Sequence, residues 1–101
     1  MSDDTPLLAA LHEGIIDRKR LQAVLEDISA HTEILVVLTK GSTTSRSGES
    51  SWTLDQAEAA LVAAEVRGIQ VRYQWQNQEW WDTIIRHGEH FRLVRVQQDY
   101  T

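Results

Sequence analysis

The sequence predicts a single α+β domain, and three patterns along its 101 residues carry that prediction. Apolar residues first recur at helical spacing, then form one continuous aliphatic run, and after Gly68 alternate with polar residues at every second position. These patterns predict the element order α-α-β-α-β-β-β. The predicted sheet is four-stranded and mixed, with one right-handed βαβ crossover, then an antiparallel meander, and helices packed on it.

Two helices are predicted before the first strand. Thr5 and Pro6 fit the cap and first position of a helix whose apolar positions run from Leu7 to Ile15. Asp17 can cap a second helix with one apolar stripe. The stripe residues stand at i, i+3, i+4 and i+7: Leu21, Val24, Leu25 and Ile28.

The run Ile34–Leu38 predicts a strand that is covered on both faces. In the predicted topology this strand joins the sheet at one edge, where exposed apolar residues invite pairing with another chain. We therefore expect self-association or docking of a partner at this edge. After the polar segment 41–51, Thr53 and Gln56 fit a capping box that begins the third helix.

The last three strands are separated by two short turns. Residues 69–75 alternate apolar and polar, residues 77–78 form a turn, and residues 79–86 form the next strand. Residues 87–90 form the second turn, before a strand over 91–96. Alternation in the middle strand places Trp81 and Ile85 on one face and Trp80, Asp82 and Arg86 on the other. Trp75 and Trp81 are assigned to the core.

The whole chain, residues 1–101, is predicted to be one domain without internal repeats. Residues 1–4 are expected to be a flexible N-terminus and residues 97–101 a short tail. Residues 41–51 are expected to form a polar, mobile loop, because no apolar residue occurs in them.

Composition limits the function classes. The net charge of −5 disfavours nucleic-acid or anionic-membrane binding without excluding the former, because phosphates must be neutralised by Lys and Arg. The absence of cysteine excludes thiol catalysis, cysteine-ligated metals and disulfides, and it favours a cytoplasmic location. No apolar stretch approaches the length of a membrane span. No cofactor or metal site is predicted.

Five residues are the candidates for exposed functional positions: Trp80, Asp82, Arg86, Arg72 and Arg46. A tryptophan beside charges on a sheet can anchor an interface or a ligand. Arg72 and Arg86 can lie near the aromatic cluster of Trp75, Trp80 and Trp81. Arg46 belongs to the polar loop, which follows a strand and precedes a helix, the place where α/β sheets often bind anions.

The sequence favours a binding module over an enzyme. The expected ligand is a protein partner or a second copy of the chain, recognised through the sheet. One alternative is single-stranded nucleic acid or a small anionic ligand, held by the sheet aromatics, the arginines and the loop. Another is a small enzyme that uses Asp82 or a histidine, although the sequence contains no recognisable nucleophile–base motif.

Overall fold

A computed structural model describes residues 12–41 and 52–98. Residues 1–11, 42–51 and 99–101 lie outside this description. Most of the first predicted helix, the flexible N-terminus, nearly all of the polar loop and the end of the tail are therefore not described. The elements, in chain order, are β1 (Glu13–Ile16), α1 (Arg18–His31), β2 (Glu33–Lys40), α2 (Leu54–Val62), β3 (Gly68–Trp75), β4 (Gln78–His87) and β5 (His90–Gln98).

Both described helices begin where the sequence predicts. The Asp17 carboxylate accepts a 2.8 Å hydrogen bond from the Arg20 amide at the start of α1. Thr53 and Gln56 form the predicted capping box of α2, with two reciprocal 3.0 Å hydrogen bonds. Each bond satisfies an amide that a free helix end would leave without a partner. The predicted stripe of α1 is confirmed, because Leu21, Val24, Leu25 and Ile28 are buried.

The sheet differs from the prediction in strand number and direction. It has five strands in the order β1-β5-β4-β3-β2, and every neighbouring pair is antiparallel. The predicted four-stranded mixed sheet with a βαβ crossover is therefore wrong. The antiparallel meander of the last three strands is confirmed.

Two local features explain why the predicted strand number and strand direction are wrong. Residues 13–16 form an edge strand on β5, where helical spacing predicted the end of a helix. Lys40, at the end of β2, pairs with Gly68, at the start of β3. The start of β3 therefore lies beside the end of β2, and the two strands run in opposite directions. The connection between them contains α2, whose nine residues span only about 14 Å, and it returns the chain to the end of β2 instead of along the strand to its start.

The two faces of the sheet have different surroundings. One face, the covered face, packs against both helices and forms a single core cluster. The inward row of β3 is confirmed, because Ile69, Val71 and Tyr73 are fully buried there and Trp75 is half-buried against the cluster. The opposite face, the open face, has no helix on it among residues 12–41 and 52–98.

The prediction that β2 is covered on both faces is wrong. It is an edge strand, and a bulge at Leu35 interrupts its pairing with β3. Leu35 and Val36 are exposed, whereas Val37 is buried on the covered face.

Removing the Thr53 hydroxyl tests the α2 cap. We expect Thr53→Ala to lower the free energy of unfolding by about 1 kcal/mol, since the Gln56 amide loses its acceptor. Thr53→Ser keeps that acceptor and should stay within a few tenths of a kcal/mol. Urea unfolding followed by circular dichroism measures both variants. Equal losses in the two variants would show that the capping hydrogen bond does not stabilise α2.

Candidate functional site

The structure separates the predicted site residues instead of bringing them together. Trp80, Asp82 and Arg86 lie on the covered face of β4, while Arg72 lies on the open face of β3. Arg46 lies outside the described residues. The predicted division of β4 into two faces is correct, but the face that we expected to be exposed is the one beneath the helices.

Asp82 belongs to a buried polar network. Its carboxylate is fully buried and accepts two hydrogen bonds from Arg95, at 2.6 Å from Nη2 and 2.9 Å from Nε. The Tyr73 hydroxyl donates to the same carboxylate at 2.9 Å. The expected exposure of Asp82 is therefore wrong, because the charge of Arg95 compensates its desolvation within the core. A binding role for Asp82 stays a prediction.

The network shifts the ionisation of its members. Burial, together with the negative charge of Asp82, raises the pKa of Tyr73 far above the ordinary value for tyrosine. Burial alone would lower the pKa of Arg95, but the hydrogen bond and the charge of Asp82 outweigh it and raise that pKa. Tyr73 therefore donates as a neutral phenol and Arg95 stays charged near neutral pH, which suits a structural role for both residues.

Arg86 caps the end of α2. Its Nη1 donates to the carbonyl oxygen of Leu61 at 2.9 Å, and its guanidinium lies 5.7 Å from the centre of the Phe91 ring. A positive charge at a helix C-terminus stabilises the carbonyls that lack intrahelical partners. The structure thus gives Arg86 a packing role between α2 and the sheet, and its role in binding stays untested.

Trp80 packs against the core from the end of the sheet. Its ring lies 5.8 Å from the ring of His12 and 6.2 Å from that of Trp75, centre to centre. The indole Nε1 is buried and has no hydrogen-bond partner among the described residues. Because Trp80 is only half-buried as a whole, we assign it to the border of the core.

Arg72 and Trp81 form the central contact of the open face. The Arg72 guanidinium lies 3.7 Å from the centre of the Trp81 ring, within the range of a cation–π interaction. Gln70 accepts from Arg72 Nε at 2.9 Å, and Glu79 accepts from Trp81 Nε1 at 2.7 Å. Our assignment of Trp81 to the core is wrong, since it is only half-buried and lies outside the core cluster.

Cross-strand pairing arranges the side chains of the open face in four rows of four or five residues, and the pair His87 and His90 lies beyond the first row, at the turn. From one end of the sheet to the other, the rows are Ile15, Arg92, Ile85, Gly68 and Lys40; Glu13, Val94, Thr83, Gln70 and Leu38; Val96, Trp81, Arg72 and Val36; and Gln98, Glu79, Gln74 and Glu33. We call them rows one to four. The fourth row is polar or acidic throughout, and the first carries two cations.

The middle of the open face is apolar and accessible. Val96 is 49% exposed, Val36 38% and Ile15, in the first row, 51%. Trp81 and Val94 are half-buried beside them. An exposed apolar patch with a polar rim is typical of a surface that binds another protein.

The histidines, the acidic side chains and the groove among the described residues give weaker evidence for a functional site. No group of three or more His, Asp or Glu side chains among residues 12–41 and 52–98 is placed to hold a metal ion. His87 and His90 pair across the last turn. An open groove of about 510 Å³ lies between β1 and α1, and its described lining includes none of the residues with a shifted pKa. Neither described helix is long and apolar enough to cross a bilayer.

Comparison with known proteins does not assign this chain to a family. Its sequence gives no significant match to any protein-family model or curated protein, and its fold gives none to any solved structure. The functional argument therefore depends on the geometry of the open face alone.

Removing the Asp82 carboxylate should destabilise the fold strongly. We expect Asp82→Ala to cost about 3–5 kcal/mol of unfolding free energy, because Arg95 stays buried without its counter-ion. The double variant Asp82→Ala/Arg95→Met should lose less than the single one. Asp55→Ala, an exposed aspartate in the first turn of α2, should lose under about 1 kcal/mol. Chemical unfolding measures all three. A double variant no more stable than Asp82→Ala would contradict the pairing.

The raised pKa of Tyr73 predicts that the protein loses stability in alkali. The phenol ionises near pH 10 in the unfolded chain but at higher pH in the folded one, so its contribution is intact below pH 10 and falls above it. The wild type should lose up to about 1.4 kcal/mol more per pH unit above pH 10 than Tyr73→Phe does. Urea unfolding at a series of pH values gives both slopes. Parallel slopes would show that Tyr73 ionises normally in the folded protein.

Proposed function

We propose that this chain is a protein-interaction module whose binding surface is the open face of the sheet. The observation that carries the proposal is the asymmetry of the fold. Both described helices pack on one face, while the opposite face presents Val96, Val36 and Ile15 to solvent. Burying such side chains is worth roughly 25 cal/mol per Å² of apolar area, so a partner that covers them gains binding free energy.

The centre of this surface has the composition of an interface hot spot. Tryptophan and arginine are enriched among the residues that contribute most to binding, especially near the middle of a contact. Trp81 and Arg72 occupy that position, and each is held by a further hydrogen bond, from Trp81 to Glu79 and from Arg72 to Gln70. Because these bonds restrict the side chains before binding, less conformational entropy is lost when a partner docks.

The alternative ligands receive less support from the same surface. Trp81 is the single Trp, Tyr or Phe side chain on the open face among the described residues, and Arg72 already covers one side of its ring. A base could stack there only by displacing or overlying the guanidinium. The cations of the open face are accompanied by the carboxylates of Glu13, Glu33 and Glu79, which repel an anionic ligand.

A cytoplasmic location is supported by the absence of cysteine alone.

Site-specific photo-crosslinking in cells tests the proposal. A benzophenone amino acid in place of Gln74, at the rim of the open face, should crosslink the chain to another polypeptide. The same amino acid in place of Ala30, exposed on α1, is the matched control. A crosslinked product specific to position 74 supports the proposal, whether the second polypeptide is another copy or a different protein. Equal or absent products at both positions would refute it.

A further inference from the structure

We propose that the partner of the open face is a second copy of this chain, bound face to face with a two-fold axis perpendicular to the strands. This inference rests on the proposed function, because it uses the same surface. Two sheets packed in this way lie about 10 Å apart and form a β-sandwich, with one helical layer on each outer side. The order of charges and apolar residues along the strands favours this arrangement.

The axis brings each strand over its own counterpart, running in the opposite direction. Row one of one protomer then lies over row four of its partner, and row two over row three. Such an interface is isologous, so each contact between different residues occurs twice.

The ends of β2 are complementary in charge under this operation. Glu33 lies in row four and Lys40 in row one of the same strand, so each faces the other residue on the opposite protomer. Within one chain they are about 23 Å apart and do not interact. A two-fold axis parallel to the strands would instead bring β2 over β1 of the partner, where Lys40 would face Ile15. The perpendicular axis is therefore the one that the charges favour.

The apolar residues become paired under the same operation. Val96 faces Val94 of the opposite protomer in the middle of β5, and Val36 faces Leu38 in the middle of β2. Trp81 lies over the same strand of the other sheet, opposite Thr83. The accessible side chains of row three thus contact the less exposed side chains of row two. The dimer removes these apolar side chains from water. Arg72, also in row three, lies opposite Gln70 of the other protomer and keeps its contacts with Trp81 and Gln70 of its own chain.

The area of the face suits a stable dimer. Five strands about 4.8 Å apart and roughly 26 Å long give a flat area of about 600 Å² before side-chain relief is counted. Stable interfaces bury about 800 Å² of accessible surface from each partner. The open face is therefore in the size class of a standard interface, provided that most of it takes part.

The mass of the purified full chain in solution is the first measurement. Light scattering coupled to size exclusion, from micromolar to hundreds of micromolar protein, should show twice the monomer mass of 11.6 kDa. Val96→Lys, which places a charge in the centre, should weaken dimerisation at least tenfold. Ala30→Lys adds the same charge on the exposed side of α1 and should not change it. Circular dichroism verifies that both variants are folded.

A charge exchange tests the relative orientation. Glu33→Lys and Lys40→Glu should each weaken the dimer roughly tenfold, since each puts like charges together at two places. The double variant Glu33→Lys/Lys40→Glu should recover the wild-type affinity. A double variant weaker than either single one would overturn the proposed axis.

Three other outcomes would also overturn the second-copy proposal. One is a monomer at every concentration. Another is a dimer that Glu33→Lys weakens and Val96→Lys leaves intact, which would indicate pairing of two β2 edges. The third is a monomer that dimerises only after removal of residues 1–11, which would indicate that this segment occupies the face. A monomer that nevertheless crosslinks to a different protein from position 74 would retain the proposed function and remove this inference.

Discussion

The register of the β3–β4 hairpin is the constraint on which the rest of the structure depends. The turn at Gln76 and Asn77 has two residues, both with positive φ, and it pairs Trp75 with Gln78. An odd-numbered residue of β3 therefore always faces an even-numbered residue of β4. Because the odd row of β3 is the apolar one and faces the helices, the even row of β4 must lie in the core with it.

This constraint brings charged residues into the core and apolar residues to the surface. Asp82 enters the core, where the second two-residue turn, at Gly88 and Glu89, places Arg95 directly opposite. Their bidentate ion pair and the hydrogen bond from Tyr73 satisfy the buried carboxylate. The odd row of β4, with Trp81, is left on the face that the described helices do not cover. The buried network and the open binding surface thus have the same cause.

Much of this could be predicted from the sequence, and the failures have physical reasons. Caps such as Asp17 and Thr53 and the period-two pattern of β3 are local signals, so they were predicted correctly. The four residues of β1 are too few to show alternation, and their pairing with β5 is a long-range contact. The direction of β2 relative to β3 was also inaccessible, since a helix between two strands occurs in both parallel and antiparallel connections.

The buried pair was within reach of sequence reasoning. The first turn lies at residues 76–77, one residue before the predicted 77–78, but either position places Trp80 on the same face as Trp75. The second turn, at residues 88–89, places Asp82 opposite Arg95. The charges of Asp82 and Arg86 instead suggested an exposed face, although a buried charge is acceptable when a partner of opposite sign lies across the strand. The pairing register set by the two turns is therefore better evidence for which face of β4 is buried than the polarity of its single residues.

A cysteine scan of β4 tests the face assignment most directly, because the chain has no native cysteine. Single cysteines at residues 81–85 are treated with a thiol reagent at nanomolar protein concentration, so that any dimer has dissociated. We expect rapid labelling at positions 81, 83 and 85 and protection at positions 82 and 84, to the extent that each variant stays folded. The opposite alternation, or uniform labelling in folded variants, would contradict the assignment of the two faces and the binding surface derived from it.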